Sequence, residues 1–181
     1  MVKSVQIKEI INRLQELYPI SDFKQQKADT GLITVEKEKA IDFLTVLQKN
    51  EGFKHLSLLT ATDWLEDGLF QLSYIVNNPE TKESLIVKVF IDRENAEMES
   101  FHHLWEQAAT YQRELKEMFG INFPGSPRVD KPFILEGWDD LPPYRRDFET
   151  KKYSEETYFP REGRTKNDPS EYMKQKLYPD E

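Results

Sequence analysis

The sequence contains no cysteine. That absence excludes disulfides, a thiol nucleophile and any iron–sulfur cluster held by thiolates of this chain. Long apolar runs are missing too; none approaches the roughly 20 residues that a membrane-spanning helix needs. Residues 1–9, Met-Val-Lys-Ser-Val-Gln-Ile-Lys-Glu, lack the apolar core of a secretory leader, so the chain is expected to stay in the compartment where it is made. Neither Gly-x-x-x-x-Gly-Lys nor Gly-x-Gly-x-x-Gly occurs, which leaves no glycine loop to cradle a nucleotide or flavin. A Gly-x-Ser-x-Gly nucleophile elbow is also absent. His55, His102 and His103 do not have the His-x-x-x-His spacing of a metal site, and two adjacent histidines on a helix point about 100° apart. A net charge of −8 disfavours a nucleic-acid backbone as the main partner.

What is present is patterned. In 4–18, Ile7, Ile10, Ile11, Leu14 and Leu17 form a stripe of helical period; Ser4 suits the N-cap and Pro19 ends it. Strands are predicted at 22–27 and 32–35, joined by the turn Asp29-Thr30-Gly31 as a hairpin. A second helix over 37–50 buries Ala40, Phe43, Leu44 and Leu47. Three further strands, 53–63, 70–76 and 85–91, are separated by short turns and read as an antiparallel meander. A third helix over 100–119 turns Phe101, Leu104, Trp105, Ala108, Tyr111, Leu115 and Met118 to the core. The fold expected is α+β: a two-layer sandwich in the order α-β-β-α-β-β-β-α, with a mixed, mostly antiparallel sheet and its helices on one face, followed by an extended C-terminal tail.

Composition changes after Gly120, which sits where a left-handed C-cap is wanted. Eight of the ten prolines lie beyond it. The division expected is a core domain over 1–120 and a Pro-rich extended arm over 121–181. Aliphatics are few from Tyr153 on, yet Tyr144, Phe148, Tyr153, Tyr158, Phe159, Tyr172 and Tyr178 recur, which suits an arm anchored on a partner by aromatic rings. The alternative is an arm folded back on its own domain.

The segment 111–148 carries the most specific signal: Arg113, Glu114, Glu117, Met118, Phe119, Gly120, Ile121, then Phe123, Gly125 and Pro127, then Trp138, Pro142, Pro143, Arg145, Arg146, Asp147 and Phe148. In order and spacing it resembles the signature of the 30-kDa subunit family, the C subunits of the proton-translocating NADH-quinone oxidoreductases of respiratory complex I. The likeness reaches back more weakly to about Phe53. Three positions depart from the usual pattern: Gln112, Ser126 and Asp130.

The resemblance implies the same α+β architecture and a non-catalytic, structural subunit of the peripheral arm. Such a subunit supports electron transfer from NADH to quinone while carrying none itself. It implies that this chain binds no cofactor, the iron–sulfur clusters, flavin and quinone lying in partner subunits. It implies the D subunit and cluster-bearing subunits as partners, and an indirect, peripheral attachment to the cytoplasmic side of the cell membrane. The expected interface residues are Arg113, Glu114, Phe119, Gly120, Trp138, Tyr144, Arg145, Arg146, Asp147 and Phe148. Arg145 and Arg146 would form a polar lock, since prolines stiffen the segment before them and guanidinium groups pair bidentately with carboxylates. The same scaffold role in a related membrane-bound hydrogenase or ferredoxin-linked complex is one alternative. A free-standing enzyme or small-molecule-binding domain using the Glu114/Glu117 face is another, set against the reading of those acids as a solvated or salt-bridged helix surface.

Overall fold

The structure, a computed structural model, describes residues 7–158 and residue 176. The expected N-cap Ser4 lies outside them, as do Phe159, Tyr172 and Tyr178 of the aromatic series. The chain divides into two compact units, one ending at Asp147 and the other beginning at Phe148.

The first unit is built on five strands: β1 (Ile20–Lys27), β2 (Thr30–Val35), β3 (His55–Trp64), β4 (Leu69–Asn78) and β5 (Glu83–Asp92). Their order in the sheet is β1-β2-β5-β4-β3. β3, β4 and β5 form the expected antiparallel meander, and β1 pairs antiparallel with β2. β2 joins β5 in parallel, which fuses the hairpin and the meander into one mixed sheet. A single 3-10 turn (Leu65–Asp67) and Gly68, at φ 67°, close the β3–β4 hairpin.

Three helices supply the second layer: α1 (Ile7–Leu14), α2 (Lys37–Lys49) and α3 (Ala108–Phe119). Alternation along the strands sends Leu56, Leu59, Phe70, Leu72, Tyr74, Val76, Leu85, Val87, Val89 and Ile91 into one buried cluster with Ile11, Leu14, Phe43, Leu44, Leu47 and Leu115. The N-terminal amide of Ile7 donates to Glu83 Oε1 (3.0 Å), so a strand carboxylate satisfies one of the amides a helix leaves unpaired there. Gly31 stands within β2 rather than in the turn. A Cβ there would lie 2.9 Å from Ile7 Cγ2, so the bare backbone lets α1 sit close against the sheet.

The third helix starts at Ala108, eight residues later than the apolar spacing predicts. Phe101, Leu104 and Trp105 are buried nonetheless, from irregular backbone. The reason is tertiary hydrogen bonding to elements distant in sequence. Gln48 Nε2 takes the Leu104 carbonyl (2.7 Å), Trp105 Nε1 donates to the Lys54 carbonyl (3.0 Å), and Gln107 Nε2 donates to the Leu56 carbonyl. These bonds fix 104–107 against neighbouring elements and leave the helix to begin after them.

The boundary expected at Gly120 falls instead after Asp147. Ile121 and Phe123 are fully buried, Met98 N donates to the Asn122 carbonyl (3.0 Å), and Asn122 N to the Ala96 carbonyl (2.8 Å). The segment 121–147 is thus folded onto the domain without forming a helix or strand. The second unit is also not wholly extended: α4 (Thr150–Tyr158) is helical, and the Phe148 ring lies 5.5 Å from that of Tyr153 one turn into it.

Candidate functional site

The segment 121–147 is held at two places by carboxylates that reach its backbone. The first is Glu117 on α3. Its Oε2 accepts from Phe133 N (2.5 Å), and its Oε1 from Ile134 N (2.8 Å) and Leu135 N (3.0 Å). Three successive amides converging on one carboxylate form an anion-binding concavity built from backbone alone. Both Glu117 oxygens are thus engaged by main-chain amides.

The second is Asp63. It is the last residue but one of β3, on the helix-facing side of the sheet, in register with Phe70. Arg93, just past β5, meets it bidentately: Nε to Oδ1 at 2.8 Å and Nη2 to Oδ2 at 3.1 Å. Arg146 N adds a third bond to Oδ2 (2.9 Å), and Arg93 Nη2 also donates to Asp147 Oδ1 (2.7 Å). The Asp63 side chain is 1% exposed and that of Arg93 11%. Burial pushes the Asp63 carboxyl up. The bonds from the Arg93 side chain and the Arg146 amide, with the charges of Arg93 and Arg145, outweigh burial and hold it below the usual carboxylate range. Its bond to Asp63 raises the Arg93 guanidinium in turn.

The two arginines of the predicted lock find their partners within the chain. Arg146 pairs with the exposed Glu66 through both terminal nitrogens, one at 2.8 Å. That bond lowers the Glu66 carboxyl and raises the Arg146 guanidinium. Arg145 lies over the Phe70 ring (5.4 Å), as Arg93 does (5.6 Å), and donates to the Arg93 carbonyl (3.5 Å). Phe70 is so positioned beside two guanidinium groups while Phe119 meets it edge-on at 5.9 Å.

The other expected interface residues divide by exposure. Phe119 is core. Gly120 is the left-handed C-cap (φ 78°), its amide bonding Lys116 O and Leu115 O, and a Cβ there would meet Pro142 Cγ at 3.3 Å. Trp138 Nε1 donates to the Asp140 (3.0 Å) and Leu141 (3.1 Å) carbonyls, closing its own turn. Tyr144 is 59% exposed, with its ring edge on Phe119 (5.7 Å), and Ile134 at the loop tip is 68% exposed. Arg113 stacks over Phe133 (5.2 Å). Half-buried Glu114 has no hydrogen bond or ion pair among the described residues. Phe148 belongs to the second unit. Asp63 and Arg93 were not singled out from sequence. The signal for Asp63 was available: a carboxylate at the inward phase of Leu59-x-Ala61-x-Asp63 must be paired.

Among the described residues no three His, Asp or Glu side chains come together as a metal site, and no helix is long and apolar enough to cross a membrane. The geometry is that of a small α+β domain that fastens a non-regular segment on its surface and displays it.

The family described as respiratory-chain NADH dehydrogenase, 30 Kd subunit, matches residues 33–154. The chain belongs to that family. It is 29% identical over 138 residues to the C subunit of the NADH-quinone oxidoreductase of Moorella thermoacetica, a match covering 76% of this chain and 92% of that one. It is 31% identical over 146 residues to the combined C/D subunit of the NADH-quinone oxidoreductase of a Hydrogenobaculum species, covering 79% of this chain but 24% of that polypeptide. Among solved structures it is similar to a chain of the membrane-bound sulfane sulfur reductase, an archaeal respiratory membrane complex, with a TM-score of 0.74, 28% identity, and coverage of 89% of this chain and 95% of that one.

Proposed function

We propose that this chain is a non-catalytic scaffold in the peripheral arm of an NADH:quinone oxidoreductase, holding the geometry of neighbouring redox subunits without carrying electrons. The D subunit is its principal partner. Cluster-bearing subunits adjoin it, the flavin, clusters and quinone reside in those partners, and the assembly lies on the cytoplasmic side of the membrane. The observation that carries this reading is the pinned segment 121–147 within the family match. Glu117 and Asp63 spend buried or half-buried carboxylates on backbone amides, which fixes the segment's shape while leaving Ile134 and Tyr144 exposed. Preorganised display lowers the ordering cost of docking. The joining of C and D subunits in the Hydrogenobaculum relative supports the D subunit as the neighbour. The interface residues proposed remain Arg113, Glu114, Trp138, Tyr144 and the 145–148 run, with Phe119 and Gly120 supporting them from beneath.

A second reading keeps the scaffold role but changes the chemistry of the assembly, as in a hydrogenase or ferredoxin-linked complex; the sulfane sulfur reductase chain, matched over most of this one, favours considering it. The free-standing domain using Glu114 and Glu117 is disfavoured by the three amides that occupy Glu117. Affinity purification of the tagged chain from its own membranes tests all three. Co-purifying flavin, iron and NADH-dependent quinone reduction supports the first. The same set of subunits with a different donor or acceptor supports the second. A monomer with activity of its own overturns both.

A further inference from the structure

The sheet has two edge strands, β1 and β3, and they differ. β1 is irregular. Its pairing with β2 shifts register twice, Asp22 within it has a φ of 53°, and Lys24 and Lys27 stand exposed along it. Such features keep an edge from pairing with another chain. β3 is irregular at its start, where the register shifts between Leu56 and Leu58. From Leu58 to Trp64 it pairs with β4 residue for residue, and no Gly, Pro, Lys or Arg stands there. Its one charge in that stretch, Asp63, is buried and held by Arg93. The start of the edge is already covered. Trp105 Nε1 donates to the Lys54 carbonyl (3.0 Å), Gln107 Nε2 to that of Leu56, and the Tyr111 hydroxyl to that of Ser57 (2.9 Å), so the donors advance along β3 as the chain enters α3. Helical spacing sets Glu114 next in this series, three residues after Tyr111. Glu114 is half-buried and has no hydrogen bond or ion pair among the described residues. It does not continue the series, because a carboxylate has no proton to donate to a carbonyl. Beyond Ser57, the outer amides and carbonyls of β3 meet no partner among the described residues.

We infer that the open edge of β3, residues 58–64, is filled in the assembly by an extended segment of a neighbouring subunit that carries a lysine or arginine level with Glu114. The inference rests on the scaffold reading and adds to it the form of one contact. Main-chain donors and acceptors repeating along an edge are matched by another strand, so the occupant is an extended chain. Charge complementarity places its cation: a half-buried carboxylate without a partner, where the covered edge gives way to the open one, is completed by a positive side chain. Leu58 and Trp64, 37% and 42% exposed, flank the open stretch and offer apolar contacts to alternate side chains of that segment.

Hydrogen exchange read by mass spectrometry, on the full chain alone and in the affinity-purified complex, tests the pairing. In the isolated chain the outer amides of 58–64 should exchange freely, while those bonded to β4 are protected. In the complex the free ones should slow at least ten-fold, and one stretch of another subunit should gain the same protection. Glu114→Lys should lower capture of the complex at least ten-fold, and Glu114→Gln by less. Thr62→Lys, at an exposed position and of the kind that blunts natural edges, should lower it too, with the melting temperature of each isolated variant unchanged. Outer amides as fast in the complete complex as in the free chain would overturn the inference while leaving the scaffold reading standing. So would protection already present in the isolated chain, whether from a second copy or from residues 159–181, and so would undiminished capture by both Glu114→Lys and Thr62→Lys. Failure of the wild-type chain to co-purify with any complex would remove both.

Discussion

Asp63 and Arg93, thirty positions apart, meet through two parallel hydrogen bonds of 2.8 and 3.1 Å at the end of the sheet where the chain also passes Arg146. Neither residue is in the segment they hold, so the pair belongs to the domain and the segment docks onto it. Asp63→Asn breaks the fork and leaves Arg93 with Asp147 alone. The expected loss is about 3 kcal/mol, the usual consequence of removing one member of a buried pair. Urea denaturation measures it. The pH dependence has a definite sign. The folded pKa of Asp63 is lowered, so its contribution is complete above the unfolded value of about 3.9 and vanishes as pH falls through the folded value. Wild type and variant should therefore differ at pH 7 and converge in strong acid.

Arg145 and Arg146 should behave differently despite their adjacency. Arg145 lies on Phe70, so Arg145→Ala removes a cation–π contact and the packing of its stem, at about 1–2 kcal/mol. Arg146 and its partner Glu66 are exposed, and Arg146→Ala should leave the melting temperature where it is. Thermal denaturation of the two single variants separates them. If Arg146 meets a partner subunit, its effect will appear only in capture assays.

Gly120→Ala tests the exit from α3. A left-handed φ of 78° and Pro142 Cγ 3.3 Å from the new methyl both oppose it. A loss of about 1–2 kcal/mol is expected. Calorimetry of the full chain checks this, with Gly125→Ala as the control: it has a similar φ, but nothing lies near a Cβ there.

Glu117→Ala should free three amides at once. Hydrogen exchange at Phe133, Ile134 and Leu135 should accelerate at least ten-fold, while amides of β4 and β5 keep their protection. Glu117→Gln retains one acceptor oxygen and should fall between. Equal exchange in wild type and Glu117→Ala would show that the loop is held by its prolines rather than by the carboxylate.

Most of the fold could be read from local pattern, because alternation in β4 and β5 and the stripe in α1 each record one buried face. The parallel junction of β2 with β5 could not, since pairing between distant strands leaves no local trace. The start of α3 was misplaced because Phe101, Leu104 and Trp105 have helical spacing but are buried from irregular backbone. The site was half legible. Its residue types in 111–148 pointed to a surface built to fit another. The carboxylates that hold it were hidden, because Glu117 and Asp63 bind main-chain amides, and an amide is the same whatever residue bears it. The division of the chain was misjudged at Gly120 because a proline-rich composition says nothing about what the apolar residues among the prolines, Ile121 and Phe123, are packed against.

That indifference of Glu117 to side chains has a further effect. The carboxylate grips position 134 by its amide, and the Ile134 side chain is exposed, so any residue except proline can stand there without altering the path of the loop. Ile134 can be exchanged for a polar or aromatic residue while its neighbours stay in place. Position 134 can therefore change in size and polarity with the domain beneath it left intact.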